Sequence, residues 1–239
     1  MAARFEGKSV LIAGGTGGLG RAVSLAFLRE NARLAVTFRR QDEFVALKNA
    51  AGQQVSSLSG YQVDVTDEAA VRRLTEETLA KHGRIDVLVN AVGAYAGGTA
   101  LWQTDWKIFE QMLALNLRSG YVLASAIVPV MLKQGSGTIL NVASRAAVDH
   151  AAGAGAYAAS KAAAVAMIDC LAADLMGKGV RVNSVLPSII DTEANRRAIP
   201  NADYTKWPKP EDIAQVILFL SSDEARLIHG AAVPVYGNA

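Results

Sequence analysis

Ala13-Gly14-Gly15-Thr16-Gly17-Gly18-Leu19-Gly20 follows directly on the apolar run Lys8 to Ala13 and leads into the amphipathic run Arg21 to Glu30. Strand, glycine-rich turn and helix in that order let backbone approach a pyrophosphate, whose charge is favoured by free N–H groups at a helix start. Gly15, Gly17 and Gly20 satisfy the general G-x-G-x-x-G spacing. A flexible tight turn has that spacing too. It is the placement between a first strand and a first helix that points to a dinucleotide.

Further apolar runs occur at Arg33 to Phe38, Tyr61 to Val65, Ile85 to Asn90, Thr138 to Val142, Val180 to Leu186 and Ala232 to Val235. Each reads as a strand buried on both faces. Helical segments alternate with them, among them Leu19 to Glu30, Glu68 to His82, Trp106 to Lys133, Ala156 to Gly177 and Glu211 to Ser221. Stops are supplied by Asn31, Gly83, Gly135 with Gly137, and Gly177 with Gly179. The alternation predicts an α/β fold, a single doubly wound Rossmann-like domain over residues 1–239, with a parallel sheet of about seven strands and helices on both faces. The alanine-rich stretch Ala146 to Ala166 allows close helix packing that suits a subunit interface.

The 239 residues, 51% of them hydrophobic, suffice for one large core. A net charge of +2 without a basic stripe argues against nucleic acid or a membrane surface as partner. The start Met1-Ala2-Ala3-Arg4-Phe5 lacks a leader pattern and no segment has 18 unbroken apolar residues, so a soluble, cytoplasmic protein is expected. Cys170 is the only cysteine, which excludes an intramolecular disulfide, and its apolar surroundings predict core packing. His82, His150 and His229 have no metal-ligand spacing and are expected on the surface or in loops, although His150 lies where it can touch substrate. No metal is expected. Trp102, Trp106 and Trp207 read as packing residues, while Tyr95 follows the fourth strand at the ligand-binding edge of such sheets.

About 20 residues past the glycines, NAD-binding sites carry a carboxylate for the ribose 2′-OH. Phe38-Arg39-Arg40 occupies that place here. A guanidinium holds a 2′-phosphate that a carboxylate repels, so NADP(H) is expected over NAD(H), with Arg39 the main contact and Arg40 its support. The alternative has both arginines solvated and Asp42 on the ribose of NAD(H).

At the other end of the cleft, Ser144 closes the fifth strand, and Tyr157-Ala158-Ala159-Ser160-Lys161 opens the next long helix. Tyr157 and Lys161, at i and i+4, share a helix face, so phenol and ammonium can reach one site. An ammonium beside a phenol favours phenolate and is expected to lower the tyrosine pKa.

With Asn116 upstream, these residues resemble the Asn-Ser-Tyr-Lys set of the short-chain dehydrogenases, and Gly14, Gly18 and Gly20 match that family's G-x-x-x-G-x-G turn. The resemblance spans nearly the whole chain. It implies an oxidoreductase that moves a hydride between nicotinamide and a small-molecule carbonyl or alcohol. Tyr157 would be the acid/base, Lys161 the holder of the nicotinamide ribose, Ser144 the donor to the substrate oxygen, and Asn116 the holder of a relay water. Around the cofactor it implies Thr16, Gly17 and Leu19 in the turn, Asp64 and Val65 at the adenine, and Asn90 and Gly93 near the ribose. Pro187, Ile190 and Thr192 fall at the carboxamide. The chain departs from the pattern at Ala13, where threonine is usual and a weaker turn is therefore expected, at Ala91 for asparagine, and at Ser188 for glycine.

The short segment 192–208 is the expected substrate lid, brief enough to suit mixed carbonyl substrates or a carrier-tethered one. A carbonyl reductase is the first reading, and a 3-oxoacyl-thioester reductase the second, with Arg196 and Arg197 available to an acidic carrier. The four-residue step from Tyr157 to Lys161 argues against an enoyl reductase. A non-catalytic NADP(H)-sensing protein is the alternative of another class. The family also implies a homotetramer or homodimer using helices 106–133 and 156–177.

Overall fold

A computed structural model describes residues 3–238. Seven parallel strands, β1 (Ser9–Ala13), β2 (Arg33–Phe38), β3 (Leu58–Gln62), β4 (Val87–Asn90), β5 (Gly137–Val142), β6 (Val180–Pro187) and β7 (Ala232–Val235), form one sheet in the order β3-β2-β1-β4-β5-β6-β7. The order reverses direction between β1 and β4, which leaves a crevice at their carboxyl ends.

Side-chain alternation divides the core into two layers. On one face Val10, Ile12, Val87, Val89, Leu140 and Val142 meet α1 (Gly18–Arg29) and α8 (Pro210–Ser221) through Val23, Phe27, Ile213 and Ile217. On the other, Leu11, Leu88, Ile139 and Val182 meet α3 (Glu68–His82), α5 (Ser119–Gln134) and α6 (Gly155–Leu175). The remaining helices are α2 (Gln41–Ala51), α4 (Trp106–Leu113) and α7 (Glu193–Ala198). Asn31 and Gly83 take positive φ at the ends of α1 and α3, as stop residues should.

Several expectations need correction. β3 lies three residues earlier than expected, at Leu58–Gln62, because its register follows from pairing with β2 (Leu34 with Leu58) and not from its own apolar content. β3 and β7 are edge strands and are only partly buried, so neither is covered on both faces. The expected continuous helix 106–133 is interrupted by a π-turn, Ala114–Arg118. Cys170 is exposed beside Asp169; the apolar residues of α6 are spread around the helix, so its periodicity does not mark which side packs. Trp102 and Trp106 are also exposed, and only Trp207 of the three is buried. The stretches 106–134 and 155–175 are long and apolar enough to cross a bilayer by composition alone. Val122, Leu123, Ile127, Ile168 and Ala172 instead bury against the sheet.

Candidate active site

The glycine turn leaves β1 at the crevice. Gly14 has φ +74°, and a Cβ there would sit 3.1 Å from Val92 Cγ2. A Cβ on Gly20 would lie 2.0 Å from the carbonyl oxygen of Gly14, so only glycine lets α1 start this close to the turn. Gly17 is the N-cap of α1 with no side-chain cap and no acidic residue in the first turn. Exposed backbone at Gly17 and Gly18 beside a positive helix end therefore forms a cradle suited to a pyrophosphate. Leu19 turns inward and anchors the helix to the core. Gly20→Ala is expected to weaken binding of the reduced nicotinamide cofactor about tenfold or more, read by fluorescence titration. Unchanged affinity would mean the turn shifts at no cost.

The weaker turn expected from Ala13 is not seen. Thr37 in β2 supplies the missing hydroxyl: its Oγ1 accepts the Gly14 N–H at 2.9 Å, and its carbonyl accepts the Gly15 N–H at 3.1 Å. The compensation comes across the β1–β2 pairing and is invisible to a motif read along the chain. Thr16 donates to Glu43 Oε2 on α2 at 3.0 Å. Arg40 is held by Asp42 at 2.6 Å and approaches Glu43 at 3.7 Å. Arg39 is exposed, and among the described residues no side-chain hydrogen bond or ion pair occupies its guanidinium. Asp64 accepts from the Thr66 backbone N–H and hydroxyl, at 2.9 and 2.7 Å, which hold its carboxyl below the ordinary value. Val65 beside it is buried.

The fourth turn is fixed from beneath. Asn90 Oδ1 accepts the Val92 N–H at 3.2 Å, and Asn90 Nδ2 donates to Asn141 at 3.1 Å, so Ala91 in place of asparagine removes neither bond. A Cβ on Gly93 would fall 2.9 Å from Asn116 Oδ1 and 3.0 Å from Lys161 Nζ, which places both groups directly under this glycine.

Asn116 lies in the π-turn and is buried. It clamps Ala94 through both backbone groups, accepting its N–H at 2.9 Å and donating to its carbonyl at 3.0 Å. It also donates to Ser160 Oγ at 2.9 Å, and Ser160 in turn donates to the Tyr157 carbonyl at 2.7 Å. Ser160 is wholly buried and joins Asn116 to the helix turn that carries Tyr157 and Lys161. Its place inside the Tyr-x-x-x-Lys step was the available signal, but nothing along the chain says which way its hydroxyl points.

Ser144 caps the short turn after β5, accepting the Ala146 N–H, and its hydroxyl bonds the Tyr157 phenol. The Tyr157 ring meets Tyr95 edge-on, with centroids 5.0 Å apart at 75°. Lys161 is buried and donates to the Val142 carbonyl at 3.0 Å. Tyr157 and Lys161 thus both face the segment 93–95. The expected fall in the tyrosine pKa is not found in the protein alone. Burial raises the phenol above its ordinary value, and the Ser144 bond only partly opposes this. Burial also lowers the Lys161 ammonium to about 8, which weakens its claim to be a full positive charge beside the phenol.

On the far wall, Pro187 is buried at the end of β6. Ser188 has no positive φ, so it is tolerated without strain, and it donates to the Tyr236 carbonyl at 2.7 Å. The Ile190 carbonyl accepts from Asn195 at 2.8 Å. Thr192 caps α7, and its methyl would lie 2.8 Å from a Cβ on Gly18, so the lid base rests on the glycine turn. Arg196 pairs with Asp191 at 2.5 Å and lies over the Tyr204 ring, and Arg197 pairs with Glu193. The arginines read as free for a carrier are therefore engaged within the lid.

The surface or loop role expected of the histidines fails at His82, which is buried at the end of α3 against Ser9 Oγ, at 2.8 Å. Among the described residues no cluster of histidine, cysteine, aspartate and glutamate could hold a metal. A cavity of about 430 Å³ opens at the amino ends of the strands, near Lys8, Asp86 and Val180. That is the opposite edge from Tyr157, and it plays no part in the site.

The short chain dehydrogenase family matches residues 8–203. The chain belongs to this family. It is 33% identical to the 3-oxoacyl-[acyl-carrier-protein] reductase of Thermotoga maritima, covering 98% of each chain. It is 34% identical to the D-threitol dehydrogenase of Mycolicibacterium smegmatis, covering 98% of this chain and 93% of the relative. Among solved structures it resembles ElxO with NADP bound, with a TM-score of 0.91 and 27% identity over 96% of this chain and 97% of that one. This short-chain dehydrogenase is therefore an oxidoreductase acting on alcohol or carbonyl groups with a nicotinamide cofactor. Its seven-stranded parallel sheet is the Rossmann-like architecture the sequence predicted.

Proposed function

We propose that this enzyme is an NADP(H)-dependent carbonyl reductase in which Asn116, Ser144, Tyr157 and Lys161 carry the chemistry. The observation that carries the reading is the convergence of Ser144 and the Tyr95 ring on Tyr157, with the buried Lys161 Nζ directly under Gly93. The turn Gly14 to Gly20 would hold the pyrophosphate, Asp64, Val65, Asn90 and Gly93 the adenosine half, and Pro187, Ile190 and Thr192 the carboxamide end. The bound nicotinamide supplies or accepts the hydride. Ser144 donates to the carbonyl oxygen as its charge grows, and Tyr157, protonated because it is buried, passes its proton to that oxygen. Lys161 holds the ribose hydroxyls and favours the phenolate once the proton has left. Asn116 holds the relay water that returns a proton from solvent.

NADP(H) preference rests on Arg39, exposed at the end of β2, while Arg40 and Asp42 are engaged with each other. The relative with NADP bound supports it. Comparing kcat/KM with the two cofactors tests the proposal, and Arg39→Glu is expected to cut the NADP(H)-to-NAD(H) ratio by about 100-fold. A wild type that favours NAD(H) would overturn it and leave Asp42 as the ribose contact.

The Thermotoga relative favours a second reading, a 3-oxoacyl-thioester reductase. The internal pairing of Arg196 and Arg197 supports the general carbonyl reductase over it. The enzyme works in the cytoplasm as a homotetramer or homodimer through helices 106–133 and 156–177, the first of which exposes Trp106, Tyr121 and Leu132. A monomer by light scattering would contradict the assembly.

A further inference from the structure

The Tyr95 ring stands at the mouth of the site with 67% of its surface exposed, although its edge-on contact with Tyr157 puts it beside the reacting centre. It does not hang loose. Gly98 N–H donates to the Gly153 carbonyl at 2.9 Å, tying the segment after β4 to the start of α6. A Cβ on Gly97 would fall 2.3 Å from Tyr95 Oη, so a glycine there makes room for the phenol to fold back along its own loop. Leu101, also exposed, continues the same surface: a Cβ on Gly155, two residues before Tyr157, would touch its Cδ1 at 2.8 Å.

Beside Ser144 and on the lid the charges cancel locally. Arg145, next to Ser144, is bound by Asp149 at 2.8 Å and lies 5.2 Å over the Tyr236 ring. Asp191 with Arg196 and Glu193 with Arg197 do the same on the lid. Next to the proton donor, then, an aromatic and aliphatic surface faces solvent, and the guanidiniums of Arg145, Arg196 and Arg197 are each paired with a carboxylate. A polyhydroxylated or carboxylated substrate finds little there to replace its water, whereas an apolar group gains by covering the rings.

We propose that Tyr95 and Leu101 form the apolar wall of the substrate site, and that the substrate is an uncharged carbonyl compound or secondary alcohol whose alkyl or aryl arm lies on that wall. This rests on the carbonyl-reductase reading above.

The test uses purified enzyme with NADPH and three carbonyl compounds: benzylacetone, dihydroxyacetone, and a 3-oxoacyl N-acetylcysteamine thioester with an alkyl chain of similar length. The apolar compounds are expected to exceed dihydroxyacetone in kcat/KM by about 100-fold, and Tyr95→Ala to reduce that preference about tenfold, with Tyr95→Phe retaining it. Free ketone and thioester share the wall chemistry, and the faster of the two identifies its source. Calorimetric binding of benzylacetone to the NADP⁺-loaded wild type and Tyr95→Ala is read apart from turnover. Binding that needs Tyr95 without any turnover upholds the wall and overturns the reductase reading. Turnover that favours dihydroxyacetone, or an apolar preference untouched by Tyr95→Ala, overturns the wall and leaves the reductase reading standing. Neither binding nor turnover of the apolar compounds overturns both.

Discussion

Tyr157→Phe is expected to lower kcat by about 100-fold or more, the usual scale of a lost acid/base group, and to change the Kd for NADPH far less. The phenyl ring keeps the contact with Tyr95, so the substitution removes one hydroxyl from a site whose walls stay put. The same variant identifies the phenol in a titration. Burial outweighs the Ser144 hydrogen bond and holds Tyr157 above the ordinary tyrosine value in the protein alone. The phenolate absorbance lost in Tyr157→Phe should therefore lie on the alkaline side of a free tyrosine. A component titrating near neutrality would show that Lys161 already dominates before any cofactor is bound. Turnover close to wild type would remove Tyr157 from the mechanism altogether.

Lys161→Met is expected to cost activity and gain stability at once. The ammonium is buried, its pKa is pushed down to about 8, and among the described residues its hydrogen bond goes to the Val142 carbonyl. A fall from about 10.5 to about 8 corresponds to about 3 kcal/mol of native-state cost at neutral pH. Leaving the Val142 carbonyl without its donor gives back roughly 1–2 kcal/mol of that. The net gain, about 1–2 kcal/mol, is a Tm rise of about 3–6 °C for a chain of this size, alongside a loss in kcat of about 100-fold. The sign with pH follows from proton uptake. Between about pH 8 and 10.5 the unfolded chain keeps a proton that the native lysine has lost, so wild-type stability from this group rises with pH over that window. The advantage of Lys161→Met should shrink across the same window, as thermal melts at neutral and alkaline pH would show. A variant less stable than wild type at neutral pH would mean that the lysine is paired in a way that offsets its burial.

The opposing effects of that one substitution fit a site that stores cost for function. Much of this site is held by groups outside the reacting set. Asn116 is braced on Ala94 and Ser160, and Asn90 on Asn141. Each of these bonds joins elements far apart in the chain.

The alternation of strands and helices, the crevice and the glycine turn are legible along the chain, because these depend on local periodicity and on backbone freedom at single residues. Gly14, Gly20, Asn31 and Gly83 could be read one at a time, and the i, i+4 step from Tyr157 to Lys161 needs only helix geometry. Packing of the whole chain sets what depends on neighbours across the sheet. The register of β3 follows β2, Thr37 replaces the hydroxyl missing at Ala13, and Cys170 faces outward from a helix whose apolar residues mark no single packing side. It also decided the charge state of the site. Spacing places an ammonium near a phenol, but burial sets what each proton costs, and burial is a property of the whole packed chain.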